Sequence, residues 1–169
     1  MIGTLCPPRS LYVAVRTSRY RQPMTVDTEL ADVGIDLSSQ RPRVVRALVY
    51  IAEHYREPIT VDDVAAAAGC SQRVLQDRFR ADLSMRPLEA IQRLRLQWAR
   101  QYLLQQTAGI VHIKDVAAAS GMPHAGRFSV RYHERYGETP TETLRWRLDE
   151  RWAARAKKSS RTPFPWNSA

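Results

Sequence analysis

Cysteine is scarce in this chain, and the few cysteines present form no recognisable motif. The 169 residues include two, Cys6 and Cys70, whose spacing fits neither a metal site nor a redox motif. Long apolar runs are also missing: none approaches the roughly 20 residues of a membrane span, and residues 11–15 are too short for a signal-peptide core. We therefore expect a reduced, cytoplasmic protein without a metal site or a membrane association.

Patterns of catalysis are missing as well. The four histidines, at positions 54, 112, 124 and 133, form no i, i+4 pair and no HExxH motif. The sequence also contains no recognisable nucleophile–base pair and no phosphate-binding loop. We expect neither an enzyme nor a cofactor.

Positive charge is what the chain has in excess. The formal net charge is +9, and the pI is about 10.1. Residues 41–148 hold 17 Lys/Arg against 11 Asp/Glu and residues 149–169 hold five against two, whereas residues 1–40 are balanced at four each. This excess indicates an anionic partner, either nucleic acid or a membrane surface. A merely basic, solvated surface is the alternative.

Apolar residues recur at helical spacing from Pro42 onward. No stretch alternates apolar and polar residues persistently enough to predict a strand. The pattern predicts an all-α domain of about seven helices at residues 41–150. Within it we predict a first helix-turn-helix at about 60–82, a linker helix at about 87–105, a second helix-turn-helix at about 112–137 and a closing helix at 140–149. Residues 1–40 lack a sustained period and are predicted to be poorly ordered, and the basic tail at 151–169 is predicted to be disordered.

Helix ends are marked by specific residues. Thr60 and Thr139, each followed three residues later by an acidic residue, are typical of capping boxes. Gly69 is predicted to end one helix in a left-handed conformation, and Ser71 is predicted to cap the next. In that next helix Val74, Leu75 and Phe79 are predicted to face inward.

An internal repeat is the most informative feature. Its first copy contains Asp63-Val64-Ala65, Gly69, Leu75, Phe79 and Pro87, and its second contains Asp115-Val116-Ala117, Gly121, Phe128, Tyr132 and Pro140. The offset is 52 residues before the turn and 53 after it. Each copy predicts a short helix, a glycine turn and a second helix, the helix-turn-helix plan whose second helix fits the DNA major groove. A duplicated helical bundle without a ligand is the alternative.

Residues 43–147 resemble the DNA-binding domain of the AraC/XylS family of bacterial regulators. The resemblance is carried by residues 59–65 (ITVDDVA), 69–71 (GCS), Leu75, Phe79, 95–96 (RL), 99–100 (AR), 126–129 (GRFS), 136–140 (YGETP) and 143–145 (TLR). The last three stretches are especially similar to the XylS branch. Ser84 stands where the family usually has glycine, which predicts mild strain or a different turn.

The resemblance implies two units joined by a rigid helix. It also implies that the protein binds double-stranded promoter DNA and there recruits or repels RNA polymerase, and so acts as an activator or a repressor. Independently, a helix over residues 88–105 would be roughly 27 Å long, against the roughly 34 Å helical repeat of DNA. Both second helices could then enter successive major grooves if the DNA bends.

In the first unit, the face opposite Leu75 and Phe79 is predicted to contact DNA. The predicted DNA-binding residues are Ser71, Gln72, Arg73, Gln76, Asp77 and Arg80. Arg73 and Gln76 match positions at which the family contacts bases, and arginine suits guanine as glutamine suits adenine. Asp77 stands where some relatives carry a base-contacting arginine. It is expected either to accept a hydrogen bond from cytosine or to pair with a neighbouring arginine.

In the second unit, Phe128 and Tyr132 are predicted to be core. The predicted DNA-binding residues are Ala125, Gly126, Arg127, Ser129, Val130 and His133. Because Ala125 and Gly126 replace polar readers of some relatives, we expect apolar contact with a thymine methyl group or contacts mainly to the DNA backbone. The first unit is therefore expected to dominate specificity. Trp98, Tyr102 and Trp146 are expected to be core.

Residues 1–40 are too few for the sensor and dimerisation domain that most members of this family carry. We expect either a small, ligand-independent regulator that binds as a monomer, or the C-terminal part of a longer one. The alternative function is a truncated family member that acts as a protein-interaction module or antagonist and does not bind DNA.

Overall fold

The computed structural model describes residues 25–106 and 111–145, and every regular element in them is a helix. The eight helices are α1 (Val26–Asp32), α2 (Pro42–His54), α3 (Val61–Ala68), α4 (Gln72–Leu83), α5 (Pro87–Gln105), α6 (Ile113–Ala119), α7 (Ala125–Tyr136) and α8 (residues 140–145). The predicted all-α class is therefore confirmed. The predicted tail at 151–169 and the predicted end of the closing helix at 146–149 lie outside the described residues.

Helix α1 corrects the prediction that residues 1–40 are poorly ordered; residues 1–24 lie outside the described part. Thr25 caps α1, and Leu30, Val33 and Ile35 are buried under it against α2. The sequence pattern missed this helix because its buried residues cross from the last turn into the following loop, and such a set has no helical period. With α1 the described helices number eight, one more than predicted.

The chain divides into two compact units, and the division falls within α5, between Leu94 and Arg95. This division differs from the single domain at 41–150 that the sequence predicts. The first unit contains α1 to α4 and the start of α5, and the second contains the rest of α5 with α6 to α8. Each helix-turn-helix therefore has a core of its own.

The core of the first unit forms where α2 packs against α3 and α4. Its fully buried side chains include Val44, Leu48, Ile51, Val64, Leu75 and Phe79. Each large apolar side chain buried in this way stabilises the fold by about 1.5–3 kcal/mol. A hydrogen bond reinforces the packing, since the Arg46 Nη2 atom donates to the Ala68 carbonyl oxygen at 3.0 Å. Arg46 thereby binds the last turn of α3 to α2.

The core of the second unit is a single cluster of buried residues from α5, α6 and α7. It comprises Leu96, Ala99, Leu103, Val116, Ala117, Phe128 and Tyr132. Trp98 and Tyr102 are partly buried against this cluster, with their rings stacked at 5.3 Å between centroids, as predicted for core residues. The predicted core residue Trp146 lies outside the described residues.

Both predicted capping boxes are present. The Thr60 side chain accepts from the Asp63 N–H at 3.2 Å, and the Thr60 N–H donates to the Asp63 carboxylate at 2.8 Å. Thr139 and Glu142 repeat this exchange at the start of α8, at 3.2 and 2.6 Å. These hydrogen bonds hold the pKa of both carboxyl groups below its usual range. Their stabilising effect is therefore present at neutral pH and is lost as the pH falls through the lowered pKa values.

Two helices of the first unit end in left-handed residues. Gly69 ends α3 at φ 67°, and Ser84 ends α4 at φ 53°. Ser84 is the one non-glycine residue with positive φ within residues 25–106 and 111–145. Because a Cβ atom disfavours this conformation, we expect mild strain at Ser84, which is one of the two alternatives predicted from the sequence.

Replacing Ser84 with glycine is expected to raise the free energy of unfolding by about 0.5–1 kcal/mol, because the Cβ penalty is removed. The reverse exchange at the matched helix end, Gly69→Ser, is expected to lower it by about 1–2 kcal/mol. Urea denaturation followed by circular dichroism measures both changes. Shifts of the same sign in the two variants would contradict this account.

Candidate nucleic-acid interface

Helix α4 is held so that one face points into the first unit and the opposite face points to solvent. The Ser71 hydroxyl accepts from the Val74 N–H at 3.4 Å and caps the helix. Leu75 and Phe79, one turn apart, are both buried. Since residues four apart lie on one face of a helix, these two side chains fix which residues of α4 are presented outward.

Five residues of α4 that are predicted to contact DNA are accessible to solvent. Gln72, Arg73, Asp77 and Arg80 are exposed, and Gln76 is half-buried. None of these five side chains makes a hydrogen bond or ion pair within residues 25–106 and 111–145. Their donors and acceptors are therefore available to a ligand.

Two residues at this face differ from the prediction. Val74 was predicted to face inward but is 36% exposed. It lies about 100° around the helix from Leu75, which takes it off the buried face. Ser71 is exposed, but its hydroxyl already accepts the capping hydrogen bond. The hydroxyl proton and the second lone pair of Ser71 remain for a contact with DNA.

The charge on this face is positive. Arg73, Arg78 and Arg80 are exposed on α4, with Asp77 between them. The second acidic residue of the helix, Asp82, is mostly buried and lies 3.7 Å from Arg41 at the start of α2. The solvent face of α4 thus presents three arginines and one carboxylate, a balance that attracts an anion.

Helix α7 is held by a chain of polar contacts in addition to its buried rings. Phe128 and Tyr132 are fully buried, with centroids 5.7 Å apart. Thr143 of α8 donates to the Glu138 carboxylate at 2.9 Å, so the Tyr132 hydroxyl donates to Thr143 at 2.9 Å. Glu138 in turn pairs with Arg100 of α5 at 2.9 Å. Burial raises the pKa of Tyr132 to about 12, so its hydroxyl keeps this proton at neutral pH.

Tyr136 adds a second connection between α7 and α5. Its hydroxyl donates to Gln97 Oε1 at 3.2 Å, and the Arg100 guanidinium lies 4.4 Å from the centre of its ring. These contacts join residues that are 36 to 39 positions apart, and no local pattern in the sequence indicates them. They settle the orientation of α7, which is why they matter for the site.

The centre of the outward face of α7 carries small or apolar residues, with Arg127 and His133 beside them. Gly126, Arg127, Val130 and His133 are exposed, as predicted, and Val130 is 59% exposed. A Cβ atom added at Gly126 would meet nothing within 4 Å. The centre of this face therefore offers few hydrogen bonds and an unobstructed helix backbone.

Ala125 and Ser129 are less available than predicted. Ala125 is partly buried against the core of the second unit, because it precedes Tyr132 by seven residues and so lies on nearly the same side of the helix as that buried ring. The Ser129 hydroxyl donates to the Ala125 carbonyl oxygen at 2.9 Å. Neither side chain presents a free donor to a ligand.

No group of three or more histidine, cysteine or acidic side chains is placed to hold a metal ion in the part of the chain that the structure describes. No helix of the described ranges is long and apolar enough to cross a membrane.

Comparison with known proteins agrees with this geometry. The family model described as "Helix-turn-helix domain" matches residues 64–145. The chain is 35% identical over 105 residues to the "Probable thc operon regulatory protein" of Rhodococcus erythropolis. The aligned stretch covers 62% of this chain and 32% of that protein. The chain is also 31% identical over 103 residues to "XylDLEGF operon transcriptional activator 2" of Pseudomonas putida, which covers 61% of this chain and 66% of that protein. The chain thus spans about a third of the length of the Rhodococcus protein.

A solved structure shows the same fold. It is a transcriptional regulator of Chromobacterium violaceum, titled as containing an AraC-type DNA-binding domain. Its identity to this chain is 31% and its TM-score is 0.56, over 63% of this chain and 92% of that one. The likeness therefore extends over nearly all of the solved domain.

Replacing Tyr132 with phenylalanine is expected to lower the free energy of unfolding by about 1 kcal/mol, because Thr143 loses a buried hydrogen bond. Tyr50→Phe is the matched control, since the Tyr50 hydroxyl has no hydrogen-bond partner among the described residues. That variant should stay within about 0.5 kcal/mol of the parent chain in urea denaturation. Equal losses in both variants would argue against the polar chain at α7.

Proposed function

Because the chain belongs to the AraC/XylS family of DNA-binding transcription regulators, we propose that it controls transcription by binding promoter DNA sequence-specifically. In this proposal α4 and α7 act as the recognition helices of two helix-turn-helix units and enter successive major grooves of one duplex. The proposed function includes no catalytic role.

The observation that carries the proposal is the face of α4. Arg73, Gln76 and Arg80 are positioned by a buried pair on the other side of the helix, and their polar groups are unpaired in the described residues. A long polar side chain with no internal partner gains most from a ligand that supplies one. Guanine and adenine edges supply such partners to arginine and glutamine, and phosphates supply them to arginine.

Helix α7 has a different part in the proposal. Its exposed Val130 is suited to contact a thymine methyl group, and Gly126 lets the helix backbone approach the groove closely. Arg127 and His133 flank these residues and are suited to phosphate oxygens. We infer that α4 supplies most of the sequence discrimination and α7 mainly adds affinity.

The partners follow from the same proposal. Since one chain carries both recognition helices, a monomer suffices to bind a complete site. Action as an activator is supported by the relative of Pseudomonas putida, whose name is that of a transcriptional activator. Contact with RNA polymerase is part of the proposal because regulators of this family act on transcription. The site of action would be the cytoplasm, where bacterial promoters are located.

Selection of bound sequences from random duplex DNA by the full chain tests the proposal. A defined motif is expected, with a specific complex at least about 1,000-fold tighter than binding to unrelated DNA. Binding that occurs only at low salt and without sequence preference would contradict the proposal. It would favour a protein-interaction module instead.

Arg73→Ala and Gln76→Ala are each expected to relax the selected motif at one base pair. The expected loss of discrimination is about 1–3 kcal/mol, or roughly 5- to 150-fold, because each side chain can form a bidentate contact with a purine. Arg43→Ala removes an exposed arginine from α2 and is the control. It should leave the motif unchanged. A motif that survives both α4 substitutions would show that this face does not read bases.

Arg80→Ala is expected to weaken binding to all sequences alike and to reduce the slope of log K against log salt by about 1, because a phosphate contact is lost. Arg43→Ala is again the control, since it removes an exposed arginine that lies outside α4. Its salt slope should match that of the parent chain. The slopes come from fluorescence anisotropy titrations at several salt concentrations. Equal reductions of the salt slope by the two substitutions would contradict a specific phosphate contact at Arg80.

A further inference from the structure

Asp77 is the one acidic residue in the middle of the exposed face of α4. Arg73 precedes it by four residues and Arg80 follows it by three, so both lie on the same side of the helix. A carboxylate at this place would be repelled by DNA phosphates and would weaken binding unless the groove offers it a donor. Its presence therefore calls for a specific explanation.

Within residues 25–106 and 111–145, the Asp77 carboxylate has no hydrogen-bond or ion-pair partner, although two arginines lie within one turn of it. The contrast is Asp82 on the same helix, which is mostly buried and lies 3.7 Å from Arg41. Pairing with a neighbouring arginine, one of the two roles expected for Asp77, is thus not adopted in the structure.

The chemistry of the major groove limits what an unpaired carboxylate can bind. Guanine presents two acceptors there, and thymine presents an acceptor and a methyl group. Adenine has a donor, but the N7 acceptor beside it would repel the second carboxylate oxygen. Cytosine presents the N4 donor with no acceptor on the same base edge.

We propose that Asp77 is a specificity-determining residue that accepts a hydrogen bond from the N4 amino group of a cytosine in the major groove. This inference rests on the proposed function, because it requires α4 to enter that groove. The carboxylate then rejects the other three bases as well as binding the right one, so that a C·G pair is required at one position of the site.

Sequence selection with the full chain and its Asp77 variants tests the inference. The parent chain should prefer C·G at one position by about 5- to 150-fold. Asp77→Ala should abolish that preference. Asp77→Asn should move it to A·T, since an asparagine amide suits the adenine edge. Glu53→Gln, which removes an exposed negative charge from α2, should leave the preference intact and controls for the change in net charge.

A chemical probe separates contact with cytosine from contact with its paired guanine. N4-methylcytosine at the selected position blocks the donor but leaves the guanine unchanged. This modification should lower the DNA affinity of the parent chain by about the same factor as the Asp77→Ala substitution does. It should have little further effect on the affinity of that variant. A C·G preference that survives in Asp77→Ala, or equal sensitivity of both proteins to the methyl group, would overturn the inference alone. A parent chain that selects no motif would overturn the proposed function with it.

Discussion

The orientation of α4 and of α7, each about its own helix axis, is the constraint on which the rest of the candidate interface depends. In α4 it is set by Leu75 and Phe79, and in α7 by Phe128 and Tyr132, pairs that recur at the same spacing and are all buried. Withdrawing any of these side chains from the core would expose apolar area worth about 1.5–3 kcal/mol. Because that cost opposes rotation, the side chains on the opposite face are presented in a fixed order.

The two units secure this constraint by different means. The first relies mainly on apolar packing. The hydrogen bond from Arg46 to the Ala68 carbonyl oxygen holds the end of α3, and the ion pair of Arg41 with Asp82 adds a contact between the start of α2 and α4. The second adds a continuous polar chain from Tyr132 through Thr143 and Glu138 to Arg100. Every member of that chain has a partner, which is the condition under which a buried polar group stabilises a fold. A chain of this kind also specifies geometry more narrowly than apolar contact, since hydrogen bonds tolerate less displacement.

Much of this arrangement could be predicted from the sequence because its determinants are local. Helix ends depend on residues within one turn, so Thr60 with Asp63, and Gly69, could be assigned from spacing alone. The repeat then identified the buried faces of α4 and α7. What could not be predicted depends on residues distant in sequence or on partial burial. Helix α1 is stabilised by its packing on α2, and Arg100 meets Glu138 only after α5 and α7 have packed. Val74 and Ala125 lie at the edges of helical faces, where a two-way division into inward and outward fails.

The two outward faces differ in chemistry more than a simple duplication would suggest, and the difference has a physical consequence. On α4 the centre of the face is Asp77 with arginines on either side, so entry into a groove removes water from charged groups that must all find partners. In the proposed complex a wrong base would leave at least one of these charged groups unpaired, which would lower the affinity for the wrong sequence. On α7 the centre is Val130 beside Gly126, where little polar surface is desolvated and a wrong base costs little. In the proposed complex the same scaffold would therefore concentrate discrimination in α4, while α7 would contribute affinity that tolerates sequence variation.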